Sequence, residues 1–306
     1  MSRSAPPRPM ALASGFSLAL GGGGARGFAH LGVAEALAER GLVPGRILGT
    51  SMGSVIGAGL AAGLTAERIV ELASRFDPWR MARRPARLGI FDHRPLMERV
   101  VAEVGHPRIE DLPIPFGAAT YDLVTGRHEL ITSGPVSEAL IRSCAISVVF
   151  VPVADGDAIW ADAGVWEPVP ISLARLLSSE PVVGVQVIAP KPAWFASSPV
   201  AWSLRAGARM LGTGARGEQL GARRYTALLA ARITDPVVDA RADLLIVPNL
   251  RGVSWVRFGD VETPRRRGYQ AAQRALTGTS TPSPELAEAA QPGEEAAESA
   301  EPVVPA

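Results

Sequence analysis

The chain has 306 residues, 47% of them hydrophobic, and a net charge of +1 from 31 basic and 30 acidic side chains. That much apolar material builds one large core or two modest ones and excludes a mainly disordered chain. The basic residues are nearly all arginine, which reads as composition rather than as a nucleic-acid footprint, so no nucleic-acid partner is expected.

The first nine residues, Met1 to Pro9, carry arginines broken by prolines and do not read as a secretory leader. Residues 1–14 are expected to form a flexible segment. No run of about 18 apolar residues appears, so no transmembrane helix is expected. A single cysteine, Cys144, excludes an internal disulfide framework and suits a reducing compartment. The expected location is cytoplasmic, with peripheral membrane contact as an addition.

Phe16 to Leu20 is an apolar run that reads as a buried first strand. A glycine run, Gly21 to Gly24, then Ala25-Arg26-Gly27, leads into a helix from Ala29 to Arg40 that stops at Gly41. Arg46 to Thr50 reads as a second strand, followed by another helix. Strand–loop–helix repeated in this way is the pattern of a parallel α/β sheet.

Thr65 is placed to cap a helix over Ala66 to Ala73. Trp79 to Arg87 mixes large apolar and basic residues, as a lid, a membrane-touching surface or a solvated helix would. Leu96, Val100 and Val104 keep helical spacing. Ile114 to Thr120 and His128 to Thr132 flank Thr125-Gly126 as an antiparallel hairpin.

Val136 to Arg142 reads as a helix. Ala158 to Ala161 is a strand that delivers Asp162, and Pro181 to Ile188 and Asp243 to Val247 are two further strands. Trp194, Phe195 and Trp202 make an aromatic-rich stretch before a helix over Arg216 to Arg232. Residues 276–306 are rich in Pro, Ala and Glu, with six glutamates and no basic residue beyond Arg274, and are expected to be a disordered acidic tail.

Two glycine-rich stretches carry the chemistry. Gly49-Thr50-Ser51-Met52-Gly53 reads G-x-S-x-G between a strand and a helix, where a sharp turn lifts a serine hydroxyl clear of the backbone. Glycines at 49 and 53 let neighbouring backbone pass closely. Gly22 to Gly27 reads G-x-G-x-x-G, but the second strand ends in Gly49-Thr50-Ser51, where a dinucleotide site wants an acidic residue. No Gly-Lys-Ser/Thr follows for a phosphate loop either. Backbone N–H groups gathered at a helix start suit an oxyanion, and beside a nucleophilic serine an oxyanion hole is the economical reading.

A nucleophilic serine needs a base. No histidine follows Asp162; the four are His30, His93, His106 and His128. A triad through His128 and a dyad in which a buried carboxylate of raised pKa takes the serine proton both remain open.

With these motifs the chain resembles the bacterial patatin-like phospholipases, serine acyl hydrolases. The Gly-Gly-Gly-x-Arg-Gly loop matches Gly22 to Gly27, Gly-x-Ser-x-Gly matches Gly49 to Gly53, and the family's Asp-Gly-Gly/Ala motif falls at Asp162-Ala163-Gly164. The likeness also runs through Gly89 to Asp92, Asp111 to Phe116 and Ser133-Gly134-Pro135. It implies one domain over 15–275 with a three-layer α/β/α sandwich around a mostly parallel sheet.

The resemblance also implies cleavage of phospholipid or lysophospholipid esters by a Ser51–Asp162 dyad, without metal or cofactor. Gly22, Gly23, Gly24 and Met52 would supply the oxyanion hole, supported by Arg26, Gly27, Gly49, Gly53 and Gly164. The chain departs from the family pattern at Ala163, where glycine is usual, at Glu167, where asparagine is usual, and over Ala145 to Pro152. If position 163 requires a positive φ, alanine there carries about 1 kcal/mol of strain. A catalytically weak, lipid-binding or regulatory domain is the alternative those departures leave open.

Overall fold

A computed structural model of the protein describes residues 15–75, 92–105, 108–147, 149–150, 153–189, 222–232, 235, 237–238 and 240–278. Residues 1–14, Trp79 to Arg87, Leu88 to Phe91, Trp194, Phe195, Trp202 and the tail beyond Gly278 lie outside the described residues.

The first strand is β1 (Ser17–Leu20), followed by a 3-10 turn (Gly24–Phe28) and α1 (Ala29–Ala38). Next come β2 (Arg46–Thr50), α2 (Met52–Ala61), α3 (Ala66–Arg75) and α4 (Arg94–Val104). Thr65 caps α3 as expected, its hydroxyl accepting the Arg68 N–H at 3.2 Å. The hairpin is β3 (Phe116–Asp122) and β4 (Arg127–Ile131), turning at Gly126 with φ of 73°.

Then follow α5 (Val136–Ser143), β5 (Val153–Asp155), β6 (Ala158–Asp162), α6 (Ile171–Leu177), β7 (Val182–Val185), α7 (Ala222–Arg232), β8 (Leu244–Ile246) and α8 (Glu262–Leu276). Neither α6 nor α8 is legible in the sequence. α8 lies against α1 so closely that a Cβ on Gly268 would strike the Ala29 carbonyl oxygen.

The described strands form one sheet in the order β5-β6-β3-β2-β1-β7-β8, with β4 also paired to β3. β1 runs parallel to β2 and β7, β2 to β3, and β7 to β8; β4, β5 and β6 join antiparallel. Alternating residues divide the strands between two faces, as the pleat requires. Leu18, Leu20, Ile47, Phe116, Ala118, Val183 and Val185 pack with α1, α2, α4, α5 and α8 in one cluster. Their neighbours Ala19 and Leu48 pack with α6, while Ala119 and Tyr121 pack with Trp166, α6 and α7. Helices therefore cover both faces of a mostly parallel sheet, the three-layer arrangement expected.

The register of β3 brings two strand ends together. Ala118 and Ala119 of β3 pair with β2 and also with β4, so those two strands lie on opposite edges. Thr120 to Asp122 pair with β4 and with β6, so β6 occupies the edge that β2 has just left. β2 is parallel to β3 and β6 antiparallel, so their C-terminal ends meet head-on. Thr50 sits opposite Ala119, and Asp162 sits opposite Thr120.

Candidate active site

Ser51 follows β2 directly, at φ 54° and ψ −125°, the one positive φ outside glycine among the described residues. Such a conformation costs about 1–3 kcal/mol and persists only where the surroundings over-determine it. Three features do so. A Cβ on Gly49 would strike Gly53, and one on Gly53 would strike the Leu20 carbonyl oxygen, so the turn closes only with glycine at both places. The Ser51 carbonyl accepts from the Ser54 hydroxyl at 2.6 Å and the Ser54 N–H at 2.8 Å. The Ser51 N–H donates to the buried Ser143 hydroxyl at 3.0 Å, which itself donates to the Ala119 carbonyl at 2.7 Å.

Asp162 ends β6 and turns into a short 3-10 segment, Ala163–Val165. Its N–H donates to the Ala145 carbonyl at 3.0 Å, and its Oδ1 accepts the Gly164 N–H at 2.8 Å. The side chain is buried, which pushes its pKa up from 3.8 to about 6; the Ser51 side chain and the Gly164 N–H pull the other way. No hydrogen bond joins the Ser51 hydroxyl and Asp162 directly among the described residues; the neighbouring Ser51 side chain favours the charged carboxylate without one. Asp162 is thus a carboxylate mostly ionised at neutral pH and poised near the range where a general base is effective.

Residues 143–145, at the end of α5, hold the backbones of both residues: Ser143 takes the Ser51 N–H and Ala145 takes the Asp162 N–H. No local pattern announces this brace, because its partners come from β2 and β6. Cys144 between them lines an apolar cavity beside Ser51, and burial together with the Asp162 charge pushes its thiol pKa up, keeping it protonated.

The glycine loop lies alongside. Gly22 departs from its expected part as an oxyanion donor, because its N–H is committed to the Pro168 carbonyl at 2.9 Å. Its contribution is the absence of a side chain, since a Cβ there would lie 3.2 Å from Ser51 Cβ. The N–H groups of Gly23, Gly24 and Met52 have no acceptor among the described residues. Gly27 makes room for the Met52 side chain.

Arg26 ties the loop down, its Nε donating to the Val253 carbonyl at 2.9 Å, and the Ala25 N–H donates to the Trp255 carbonyl at 2.8 Å. His30 pins the loop's entry, its Nε2 lying 2.7 Å from the Gly21 carbonyl oxygen. Burial lowers the pKa of His30 to about 4, so the ring is neutral and Nε2–H is the donor.

An apolar cavity of about 150 Å³ opens beside Ser51. Its wall comes from Val55 and Ile56 of α2, Ile69 and Leu72 of α3, Leu96, Met97 and Val100 of α4, and Ile146 and Phe150 beyond α5. Phe28, Trp255 and Phe258 also line it, and Glu103 is the one charged side chain among its described lining residues.

A family profile described as patatin-like phospholipase matches residues 18–175, a span that holds the glycine loop, the Ser51 turn and Asp162. The chain belongs to the patatin-like phospholipase family. Among curated relatives it is 37% identical over 182 residues to an NTE family protein of Mycobacterium tuberculosis, covering 56% of this chain and 48% of that one. It is 34% identical over 178 residues to Lysophospholipase NTE1 of Mycosarcoma maydis, covering 56% of this chain and 9% of that one. The alignments therefore span less than half the length of either relative. Among solved structures, VipD from Legionella pneumophila aligns with a TM-score of 0.46 and 15% identity, over 87% of this chain and 67% of that one.

Two departures of this patatin-like chain from the family pattern, Ala163 and Glu167, have structural explanations. Ala163 is fully buried in its 3-10 segment and has no positive φ, so the strain expected there does not arise. Glu167 is buried and its Oε1 accepts the Ser172 N–H at 2.8 Å, satisfying a donor in the first turn of α6. Its other oxygen lies 3.4 Å from His128 Nδ1, on the far side of β3 from β2. Burial lowers the His128 pKa to about 4 and raises that of Glu167, so His128 is neutral at pH 7. His93 likewise faces the Ile141 carbonyl at 2.7 Å. The described histidines His30, His93 and His128 each engage partners other than Ser51 and Asp162.

Proposed function

We propose that the chain is a serine acyl hydrolase that cleaves phospholipid or lysophospholipid esters through Ser51 and Asp162. The observation that carries this reading is the head-on meeting of β2 and β6 on one edge of β3, which brings a buried carboxylate of raised pKa to a strained serine. The name of the fungal relative, a lysophospholipase, supports the same chemistry. The apolar cavity beside Ser51 suits an acyl chain.

Asp162 takes the Ser51 Oγ proton while Oγ attacks the ester carbonyl carbon. The carbonyl electron pair moves onto oxygen, where the N–H groups of Gly23, Gly24 and Met52 and the N-terminal end of α2 stabilise the charge. Collapse breaks the ester C–O bond, and the departing alkoxide takes the proton held by Asp162. Water, deprotonated by the same carboxylate, then attacks the acyl-enzyme and releases the fatty acid, returning the proton to Ser51.

Release of fatty acid from a panel of phospholipids and lysophospholipids tests this. Ser51→Ala is expected to reduce turnover by at least about 10³-fold while the protein remains folded. A fluorophosphonate is expected to label Ser51 alone. Undiminished turnover in Ser51→Ala, or labelling of a different serine, refutes the assignment.

A further inference from the structure

Between Asp162 and α6 lies a second buried carboxylate, Glu167. Its Oε1 accepts the Ser172 N–H at 2.8 Å, and its Oε2 lies 3.4 Å from Nδ1 of His128 on β4. Its own N–H donates to the Ala163 carbonyl at 2.8 Å, which also accepts the Trp166 N–H at 2.9 Å. Trp166 stacks on Tyr121 of β3 with ring centroids 3.9 Å apart, and its indole N–H donates to the Arg232 carbonyl at 2.6 Å. Glu167 is therefore tied to α6 and β4 by its side chain and, through its neighbour, to β3.

The backbone of the same segment reaches both glycine motifs. The Pro168 carbonyl accepts the Gly22 N–H at 2.9 Å, and a Cβ on Gly21 would lie 3.1 Å from that oxygen, so the entry to the glycine loop rests against it. The Thr50 hydroxyl, next to Ser51, donates to the Glu167 carbonyl over a long 3.5 Å. Proline fixes its own φ and confines the residue before it to extended conformations. The Glu167-Pro168 pair is stiff for that reason, and anchoring the Glu167 side chain fixes where the Pro168 carbonyl points.

We infer that Glu167 is a positioning residue for the glycine loop. Its carboxylate, hydrogen-bonded into the start of α6, sets the Pro168 carbonyl that holds Gly22, and through Gly22 the N–H groups of Gly23 and Gly24. Hydrogen bonding rather than charge does this, so glutamine, which keeps an acceptor for the Ser172 N–H, serves in its place. Alanine leaves that N–H without its partner in the first turn of α6 and releases the dipeptide to turn. Small displacement of oxyanion donors lowers turnover while leaving ground-state binding in place. The effect on turnover rests on the acyl-hydrolase reading; the effect on the loop does not.

Amide hydrogen exchange, followed by NMR on the full chain, reads the loop directly. The internal control is the buried Ser17 N–H, bonded to the Pro181 carbonyl at 2.9 Å at the opposite end of β1. In Glu167→Ala, exchange at the Gly22 N–H is expected to speed up at least about tenfold more than exchange at Ser17, whereas a general loss of stability would speed both alike. For a soluble short-chain p-nitrophenyl ester, kcat is expected to fall about 10–10²-fold with KM within about twofold of the parent. Glu167→Gln is expected to restore both readouts. Equal acceleration at Gly22 and Ser17, unchanged exchange at Gly22, or a glutamine variant as impaired as the alanine overturns the proposal. An unchanged kcat in Glu167→Ala, where turnover depends on Ser51, overturns it too. Turnover that survives Ser51→Ala, or none in the parent, counts against the hydrolase reading alone, because exchange at Gly22 still reports the positioning.

Discussion

In the folded protein the Asp162 carboxyl titrates near pH 6, against an ordinary value of 3.8, because burial disfavours the charge more than Ser51 and the Gly164 N–H restore it. Below about pH 3.8 the group is protonated in the folded and unfolded chain alike, and it costs nothing. Between 3.8 and about 6 the folded chain keeps a proton that the unfolded chain has released, and stability falls as pH rises. Above about pH 6 both states are ionised and the loss is complete. Two pKa units at about 1.4 kcal/mol each make that loss up to about 3 kcal/mol.

Asp162→Asn removes this titration while Oδ1 can still accept the Gly164 N–H. The variant is therefore expected to gain up to about 3 kcal/mol over the parent at pH 8 relative to their difference at pH 3.5, and to lose ester turnover by about 10²–10⁴-fold. Urea unfolding of both proteins at half-unit pH steps measures the first quantity, and groups common to the two forms cancel in the difference. In the parent, kcat/KM for a soluble ester is expected to rise through about pH 6 as Asp162 ionises. A parent–variant difference that stays flat with pH, or one that shifts in the parent's favour between pH 3.5 and pH 8, would refute the assignment of a buried, poised carboxylate.

Ser143→Ala leaves the Ser51 N–H without its acceptor and is expected to lower kcat by about 10–10²-fold with little change in KM, as loss of positioning does; an unchanged kcat would show that the brace is dispensable. Gly53→Ala drives a Cβ into the Leu20 carbonyl, so a loss of more than about 3 kcal/mol, read as the thermal midpoint or as failure to accumulate soluble protein, is expected. Val100→Trp fills the cavity from α4, and turnover of long-chain esters is expected to fall at least about tenfold relative to acetate or butyrate esters; equal loss for both would place the acyl chain elsewhere.

Local chemistry was legible in the sequence. Short apolar runs marked β1 and β2, the Thr125-Gly126 turn marked the β3–β4 hairpin, the Thr65 cap marked α3, and small residues around Ser51 marked a sharp turn, all features that a chain segment carries within a few residues. α6 and α8 were not legible: α6 owes its first-turn partner to Glu167, and α8 depends on a close approach to α1 that no local pattern announces. Strain at Ala163 hung on a positive φ at that position, and the 3-10 segment holds it without one.

By itself the sequence determined a serine on a turn, a loop of glycine amides and a strand ending in an aspartate. That the ends of β2 and β6 come together was decided only in three dimensions, by both strands abutting on the same edge of β3. The tertiary structure also took Gly22 out of the set of free donors, by giving its N–H to Pro168, and brought Ser143 and Ala145 to the two backbones they hold. Hydrogen bonds between residues far apart in the chain follow from sheet register, and register is settled by the packing of the whole core rather than by any neighbouring residues.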